Sequence, residues 1–191
     1  MTDSVTPRGA GKRERLVAGT RQVIHEQGVE RTTIADIART ADVPAGNVYY
    51  YFKTKDELID AAVAGHTQDV RAVLASLERH RTPQARLKAL VRELSSQRDL
   101  VAEYGCPMGT LCSELAKTAD GADHDCSQLL RLPIDWAEAQ FRQLGRRDAR
   151  DLAVALIASY QGIALLTNSL RDPELMTREA RRLERWIDSL A

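Results

Sequence analysis

The stretch "TTIADIARTADVPAGNVYYYFKTKDEL", residues 32–58, decides the fold predicted for this chain. Four of its apolar residues recur at the i, i+3, i+4, i+7 spacing of a short helix: Ile34, Ile37, Ala38 and Ala41. Thr33 begins that helix, because Asp36 three residues later completes a carboxylate variant of the capping box. The "DVPAG" segment then makes a tight turn, and a second short helix follows over residues 45–51. Two short helices joined in this way predict a helix-turn-helix.

The second of these helices has one apolar side and one side crowded with tyrosines. Val48 and Phe52 are four residues apart and are expected to face the core of the small domain. Tyr49, Tyr50 and Tyr51 point about 100° apart around the axis, so they cannot all be buried. Phenol rings pack against sugars and thymine methyl groups, and their hydroxyls donate to phosphate oxygens. The helix is therefore predicted to lie against double-stranded DNA.

The residues on either side of the tyrosines suit the same surface. Ala45 and Gly46 are small, which lets the start of the helix come close to the DNA backbone and base edges. Asn47 can pair with adenine or donate to a phosphate. Lys53 and Lys55 add positive charge at the edge of the surface, where each neutralised phosphate releases counterions.

Charge is balanced over the whole chain but not along it. The 191 residues hold 27 basic and 27 acidic side chains, which excludes a strongly cationic protein. Residues 1–55 contain nine Lys or Arg and six Asp or Glu, a net charge of +3, which leaves 18 against 21 and a net charge of −3 for the remainder. This mild asymmetry has the sign expected for a DNA-binding segment on a neutral body.

Several classes of protein are disfavoured by features that the sequence lacks. No stretch approaches the roughly 20 apolar residues of a membrane span, and the N-terminal segment has no apolar signal region. Three cysteines without a regular framework favour a reducing, cytoplasmic location. No catalytic or nucleotide-binding motif is present, and Glu114 and Asp135 have no identifiable partner. We therefore expect no enzyme, no cofactor and no metal site, since His124-x-Cys126 alone has ligand-like spacing.

Helical periodicity runs along almost the whole chain, so the predicted fold is all-α. A first helix is expected to end at Gly28 in a left-handed cap; its buried face comprises Leu16, Thr20, Val23 and Ile24. Thr54 begins a long fourth helix, and Glu57 completes its capping box. Thr82 and Pro83 begin the next helix as N-cap and first helical residue.

Residues 12–60 resemble the DNA-binding domain of the tetracycline-repressor (TetR) family of bacterial regulators. The resemblance is carried by "TTIADIARTADV", by a glycine two residues before the Val48-Tyr49 pair, and by "YFKTKDEL", which has one residue fewer between its lysines than is usual. It implies three N-terminal helices for DNA and a variable helical body that binds a ligand and forms a dimer. By position, it implies DNA contacts from Thr33, Ala45, Asn47, Tyr49, Tyr50, Tyr51 and Lys55.

Within this resemblance, Tyr49 and Lys55 would hold phosphates, while Asn47 and Tyr50 would lie nearest the bases. The chain departs from the family pattern at two positions. Pro44 stands where Ser or Thr usually caps the recognition helix, so a hydroxyl–phosphate contact is lost. Tyr51 replaces a frequent histidine.

The expected division has three parts: a flexible basic arm over residues 1–10, a helix-turn-helix DNA-binding domain over 11–56, and a helical ligand-binding and dimerisation domain over 57–191. Arg8, Lys12 and Arg13 near the start either contact the DNA backbone or minor groove or are merely solvated. Two such DNA-binding domains about 34–36 Å apart would read a palindromic operator, so we expect a homodimer.

The dimer is expected to form through the last two long helical segments. The segment "LAVALIASYQGIALLTNSL" is apolar on more than one face, and its small residues Ala158, Ser159 and Gly162 allow close helix approach. The expected interface residues are Leu156, Tyr160, Ile163, Ala164, Trp186 and Leu190. A helix that is fully buried inside a monomer is the alternative.

A second informative stretch is "YGCPMGTLCSELA", residues 104–116. Pro107 suits the first position of a helix, which makes Cys106 its N-cap and places the thiol where the helix dipole favours the thiolate. An oxidant or electrophile could then modify Cys106 directly. The stretch also resembles a Gly-Cys-x-x-Gly-x-Leu segment in some TetR-family electrophile sensors and aromatic-ligand binders. A small apolar cysteine that simply packs is the alternative.

A pocket for an apolar or aromatic effector is expected between the helices of the body. Its candidate lining residues, besides Cys106, are His66, Val70, Leu94, Met108, Leu111, Trp136 and Tyr160. A ligand that shifts the fourth helix would change the spacing of the DNA-binding domains and release DNA. The predicted function is a dimeric transcriptional regulator, acting as a repressor released by a small apolar or electrophilic effector. An architectural DNA-binding protein without an effector is the alternative.

Overall fold

The computed structural model describes residues 11–117 and 126–190, which form ten α-helices and no β-strand. The all-α prediction is confirmed. The helices are α1 (Lys12–Gln27), α2 (Ile34–Thr40), α3 (Ala45–Tyr51), α4 (Lys55–Leu77), α5 (Pro83–Ser95), α6 (Arg98–Tyr104), α7 (Pro107–Leu115), α8 (Ser127–Gln143), α9 (Ala149–Leu170) and α10 (Pro173–Asp188). The predicted arm over residues 1–10 lies outside the described residues, as does His124.

Contacts divide the chain into two compact units, and the division differs from the boundary expected between residues 56 and 57. The first unit comprises Met1–Thr67 and Thr110–Cys126, of which residues 11–67, 110–117 and 126 are described. The second unit comprises Gln68–Gly109 and Ser127–Ala191. Helices α4 and α7 contribute residues to both units, because the division falls inside them. The first unit therefore includes a segment that comes much later in the sequence.

The first unit has a small apolar core to which α1, α2, α3 and α4 all contribute. Each helix supplies one fully buried residue: Leu16, Ile37, Val48 and Leu58. Thr33 begins α2 as predicted, because its hydroxyl oxygen accepts the Asp36 N–H at 3.2 Å. The Asp36 carboxylate returns the bond by accepting the Thr33 N–H at 3.2 Å. These local contacts fix the start of the helix-turn-helix.

Two helix ends in the first unit differ in detail from the sequence predictions. Gly28 after α1 has the positive φ expected of its cap, +84°, but its ψ of 164° lies outside the left-handed helical region. At the start of α4, the Glu57 N–H donates to Thr54 Oγ1 at 3.1 Å as predicted. The Glu57 carboxylate, however, accepts the N–H of Lys53 at 2.7 Å. The second bond therefore forms one residue earlier than in a capping box.

The second unit buries the facing sides of α5, α8, α9 and α10. The core they share includes Leu87, Phe141, Leu156 and Ile187. Thr82 caps α5 as predicted, since its hydroxyl oxygen accepts the Ala85 N–H at 3.2 Å and Pro83 is the first helical residue. These side chains hold α9 against its neighbours along one face.

Helix α9 requires a correction to the expectation that no stretch approaches a membrane span. Its 22 residues are long and apolar enough to cross a membrane by length and composition alone. Such a helix also meets this criterion when it is a core helix of a globular unit. Ala153, Leu156 and Ala164 of α9 are all 1% exposed or less, and they pack in the cores of the second unit.

Candidate nucleic-acid interface

Helix α3 separates its apolar side chains from its tyrosines. Val48 is 0% exposed and Phe52, which follows the helix, is 4% exposed. Tyr49, Tyr50 and Tyr51 are 52%, 82% and 36% exposed. The Tyr50 and Tyr51 rings meet edge to face, with their centroids 5.4 Å apart. Three phenols thus lie at the surface of the first unit on a helix that two buried side chains hold in place.

The start of α3 is open and carries small side chains. Ala45, Gly46 and Asn47 are exposed, and a Cβ added to Gly46 would meet no atom within 4 Å. Pro44 precedes the helix without a side-chain cap, as expected, and its carbonyl accepts the Asn47 N–H at 2.8 Å. A neighbouring molecule can therefore come close to the main chain at Gly46.

Thr33, the expected DNA contact at the start of α2, is exposed and belongs to a charged cluster. Its hydroxyl donates to Asp36 Oδ2 at 2.6 Å, and Arg39 pairs with Asp36 Oδ1 at 2.6 Å. These bonds lower the pKa of Asp36 to about 2, and the bond from Thr33 contributes more than the bond from Arg39. The carboxylate therefore stays ionised and keeps the N-terminus of α2 capped over the whole neutral range.

The two lysines after α3 bind main-chain carbonyls that sequence reasoning did not anticipate. Lys53 Nζ donates to the Tyr49 carbonyl at 2.6 Å, near the C-terminal end of α3. Lys55 Nζ donates to the carbonyls of Val29 at 2.5 Å and of Glu30 at 3.4 Å. An ammonium group has three donors, so such a bond does not exclude a phosphate contact. The phosphate role of Lys55 stays a prediction.

Three further contacts around this surface were missed from the sequence. The Arg13 guanidinium lies 5.0 Å from the centroid of the Phe52 ring. Arg15 bridges to Asp42 Oδ2 at 3.4 Å. Glu114, for which the sequence indicated no partner, accepts the Val29 N–H at 2.5 Å. No local pattern signals such pairs, because they join residues that are 27 to 85 positions apart in the chain.

These features can be compared with known proteins. The model of "Bacterial regulatory proteins, tetR family" matches residues 16–62, which run from α1 into α4. A TetR transcriptional regulator from Legionella pneumophila has a structure with a TM-score of 0.83 at 19% identity, covering 96% of this chain and 98% of that one. This chain carries a TetR-family DNA-binding domain over residues 16–62. It is a DNA-binding transcriptional regulator of the repressor type.

Two sequence relatives extend the similarity beyond the DNA-binding helices. The chain is 24% identical over 188 residues to the regulator TtgR of Pseudomonas putida, covering 93% of this chain and 88% of that protein. It is 29% identical over 177 residues to an uncharacterised regulator of Lactococcus lactis, covering 84% and 85% of the two proteins. Proteins of this family are regulators rather than enzymes.

The expected dimer residues of this chain are mostly buried, and their role in a dimer stays a prediction. Leu156, Tyr160, Ile163 and Ala164 are each 9% exposed or less, because this face of α9 packs inside the second unit. Trp186 and Leu190 are partly buried against the core of the same unit. Other large apolar side chains of α9 are exposed instead: Val154 at 43%, Leu165 at 66%, Leu166 at 51% and Leu170 at 62%. The small residues Ala158, Ser159 and Gly162 share this exposed face.

Cys106 has the N-cap geometry that its sequence predicts. Pro107 is the first residue of α7, and the Gly109 N–H donates to Cys106 Sγ at 3.4 Å. The Tyr160 hydroxyl also donates to this sulfur, at 3.8 Å. Burial, with a smaller contribution from Cys106, raises the pKa of Tyr160 well above its ordinary value, so the phenol remains a donor. A side chain at Gly109 would overlap the Gln161 amide oxygen.

The structure brings together only part of the expected effector pocket. Leu94, Cys106, Met108 and Tyr160 belong to one apolar cluster of the second unit. Val70 and Trp136 pack against the other core of that unit, and the Trp136 indole donates to Glu78 Oε1 at 2.8 Å. The first unit contains His66, whose ring nitrogen lies 3.2 Å from Arg21 Nη2, and also the buried Leu111.

Two expectations remain, one for the partner of Asp135 and one for a metal site. Asp135, for which the sequence indicated no partner, pairs with Arg150 at 2.6 Å. Over residues 11–117 and 126–190, no three His, Cys, Asp or Glu side chains come together in a group that could hold a metal ion.

Proposed function

We propose that this TetR-family regulator is a homodimeric repressor that binds a palindromic operator and leaves it when a small apolar or electrophilic effector acts on the second unit. The observation that carries the proposal is the outward display of Tyr49, Tyr50 and Tyr51 on a helix fixed by the buried Val48 and Phe52. An exposed aromatic helix of this kind suits a groove lined by sugars, thymine methyl groups and phosphates.

On the operator, α3 enters the major groove with its open N-terminal end foremost. Asn47 and Tyr50 read base edges, because both are exposed and Tyr50 is the most exposed of the three tyrosines, at 82%. Gly46 lets the main chain approach the duplex without a clash. Tyr49 and Lys55 hold phosphates, and the Lys55 contact adds to the salt dependence of binding.

The second copy of the chain covers the exposed apolar face of α9. Leu165, Leu166 and Leu170 each expose more than half of their surface, and water-exposed leucines at helical spacing favour burial against another helix. Gly162 supports close packing there, since no atom outside the local backbone of α9 lies within 4 Å of an added Cβ. One dimer then delivers two α3 helices to two half-sites about 34–36 Å apart.

The effector acts in the cluster around Cys106. An α,β-unsaturated carbonyl compound is attacked at its β-carbon by the sulfur, which forms a C–S bond, and the thiol proton ends on the α-carbon. Cys106 is 5% exposed, so an adduct requires its neighbours Met108 and Tyr160 to move. This requirement couples the chemistry to a change of conformation, as release from DNA demands. An apolar ligand that separates the same side chains would have the same effect.

DNA selection followed by a dimer test examines the first part of the proposal. Duplexes recovered from genomic DNA with the purified protein should contain inverted repeats, and anisotropy should show much tighter binding to the intact repeat than to a half-site or a mixed-sequence duplex. Leu165→Glu should sediment as a monomer and bind the intact repeat no better than the half-site. Leu100→Glu, at another exposed leucine (40%), is the matched control. Equal affinity for all duplexes would instead support an architectural protein.

The effector part is tested with N-ethylmaleimide as the electrophile. The reagent should release wild-type protein from the recovered duplex and should not release Cys106→Ser, while both bind equally before treatment. Cys112→Ser, on the same helix, should respond as the wild type does. Release of Cys106→Ser by the reagent would show that the thiol only packs.

A further inference from the structure

One residue of the first unit, Val29, is held through both of its main-chain polar groups. The Val29 N–H donates to Glu114 Oε2 at 2.5 Å, and the Val29 carbonyl accepts Lys55 Nζ at 2.5 Å. Val29 is 5% exposed, and both bonds are partly buried. Bonds from main-chain groups to ionised side chains are stronger than those between neutral groups.

The turn between α1 and α2, residues 28–33, is shaped around the Glu114 carboxylate. Gly28 has a φ of +84°, and a Cβ added there would lie 3.1 Å from both carboxylate oxygens. Thr32 closes the turn by donating its hydroxyl to the Gly28 carbonyl at 2.6 Å. The end of α1 is the negative end of its dipole and disfavours a carboxylate, so the hydrogen bond from the Val29 N–H has to offset that cost.

This turn determines where two parts of the DNA-binding surface begin. Thr33, the N-cap of α2, ends the turn, and Lys55 is the first residue of α4. If Val29 shifts, the start of α2 and the Lys55 ammonium are no longer held in fixed positions. Small displacements of this kind matter, because base and phosphate contacts need hydrogen-bond distances.

We propose that Glu114 is a positioning residue for DNA binding: through the Val29 N–H it fixes the α1–α2 turn, and through that turn it fixes Thr33 and Lys55. Glu114 lies outside residues 16–62, which match the family model, and outside the helix-turn-helix itself. The proposal rests on the DNA-binding function and adds to it a residue that would not touch DNA.

Variants at this position separate the hydrogen bond from the charge. Glu114→Ala removes the acceptor, and Glu114→Asp keeps the charge but shortens its reach by one methylene. Both should lower the affinity for a genomic duplex selected by the wild type, roughly tenfold for the loss of one charge-assisted bond. Glu114→Gln keeps an acceptor oxygen at full reach and should lose less than either. Ser113→Ala, an exposed neighbour on α7, is the matched control and should bind as the wild type does.

Hydrogen exchange supplies a readout that general destabilisation would not reproduce. In Glu114→Ala and Glu114→Asp, the Val29 amide should exchange faster while amides in α9 and α10 keep their wild-type rates. The inference is overturned if Glu114→Ala and Glu114→Asp keep wild-type affinity for DNA, or if Glu114→Gln loses as much affinity as Glu114→Ala. It is also overturned if amide exchange rises equally throughout the protein. If the wild type itself selects no duplex, the DNA-binding function fails instead, so the two failures are distinguishable.

Discussion

Replacing Gly46 by alanine should move stability and DNA affinity in opposite directions. Gly46 is the second residue of α3, it is exposed, and an added Cβ would meet no atom within 4 Å. Alanine in a helix is about 0.5–1 kcal/mol more stable than glycine. For a chain of this size, a gain of that order raises the melting temperature by about 1–4 °C.

The same methyl group should weaken binding to the operator, because it occupies space that the duplex needs. We expect a loss of about 1–3 kcal/mol, roughly fivefold to 150-fold in the dissociation constant. Differential scanning calorimetry and anisotropy on a selected duplex measure the two effects. Gly65→Ala in α4 is the matched control: its Cβ would make an ordinary 3.5 Å contact with Val17, so it should melt higher and keep its affinity. Unchanged affinity of Gly46→Ala would refute the close approach at α3.

Three more substitutions test neighbouring residues. Tyr50→Ala should cost about 1–3 kcal/mol on the selected duplex and relax base preference at one position; anisotropy with single-base variants measures both, and full retention of specificity contradicts base reading. Lys55→Ala should weaken all duplexes alike and reduce the slope of log K against log salt by about 1. An unchanged slope would show that Lys55 binds main-chain carbonyls but no phosphate. Because the pKa of Asp36 is lowered from 3.8 to about 2, its ionised form stabilises the fold above pH 4 and this contribution is lost as pH falls towards 2. Asp36→Asn should therefore flatten the pH dependence of urea unfolding in that window, and an unaltered curve would contradict the cap.

Sequence reasoning succeeded where a few adjacent residues determine the structure. The starts of α2, α5 and α7 follow from Thr33, from Thr82 with Pro83, and from Pro107, because caps and proline act within one helical turn. The outward tyrosines follow from the burial of Val48 by simple helical geometry.

Sequence reasoning failed where the packing of distant segments determines which residues are buried and which residues are in contact. Helix α9 is apolar on several faces, so periodicity could not show that Leu156 faces its own core while Leu165 remains exposed. The bonds of Val29 to Lys55 and to Glu114 join residues 26 and 85 positions apart. No spacing rule covers such distances, and only the three-dimensional arrangement reveals them.

The discontinuity of the first unit affects how the chain is made. Between Thr67 and Thr110 the ribosome must add 42 residues, Gln68 to Gly109, before the segment that carries Glu114 can emerge. At about 5–20 residues per second this takes roughly two to eight seconds. During that interval the nascent N-terminal helices lack the hydrogen bond between Glu114 and Val29. Chaperone binding early in translation, or slow codons placed before residue 110, would therefore bear most strongly on the yield of active regulator.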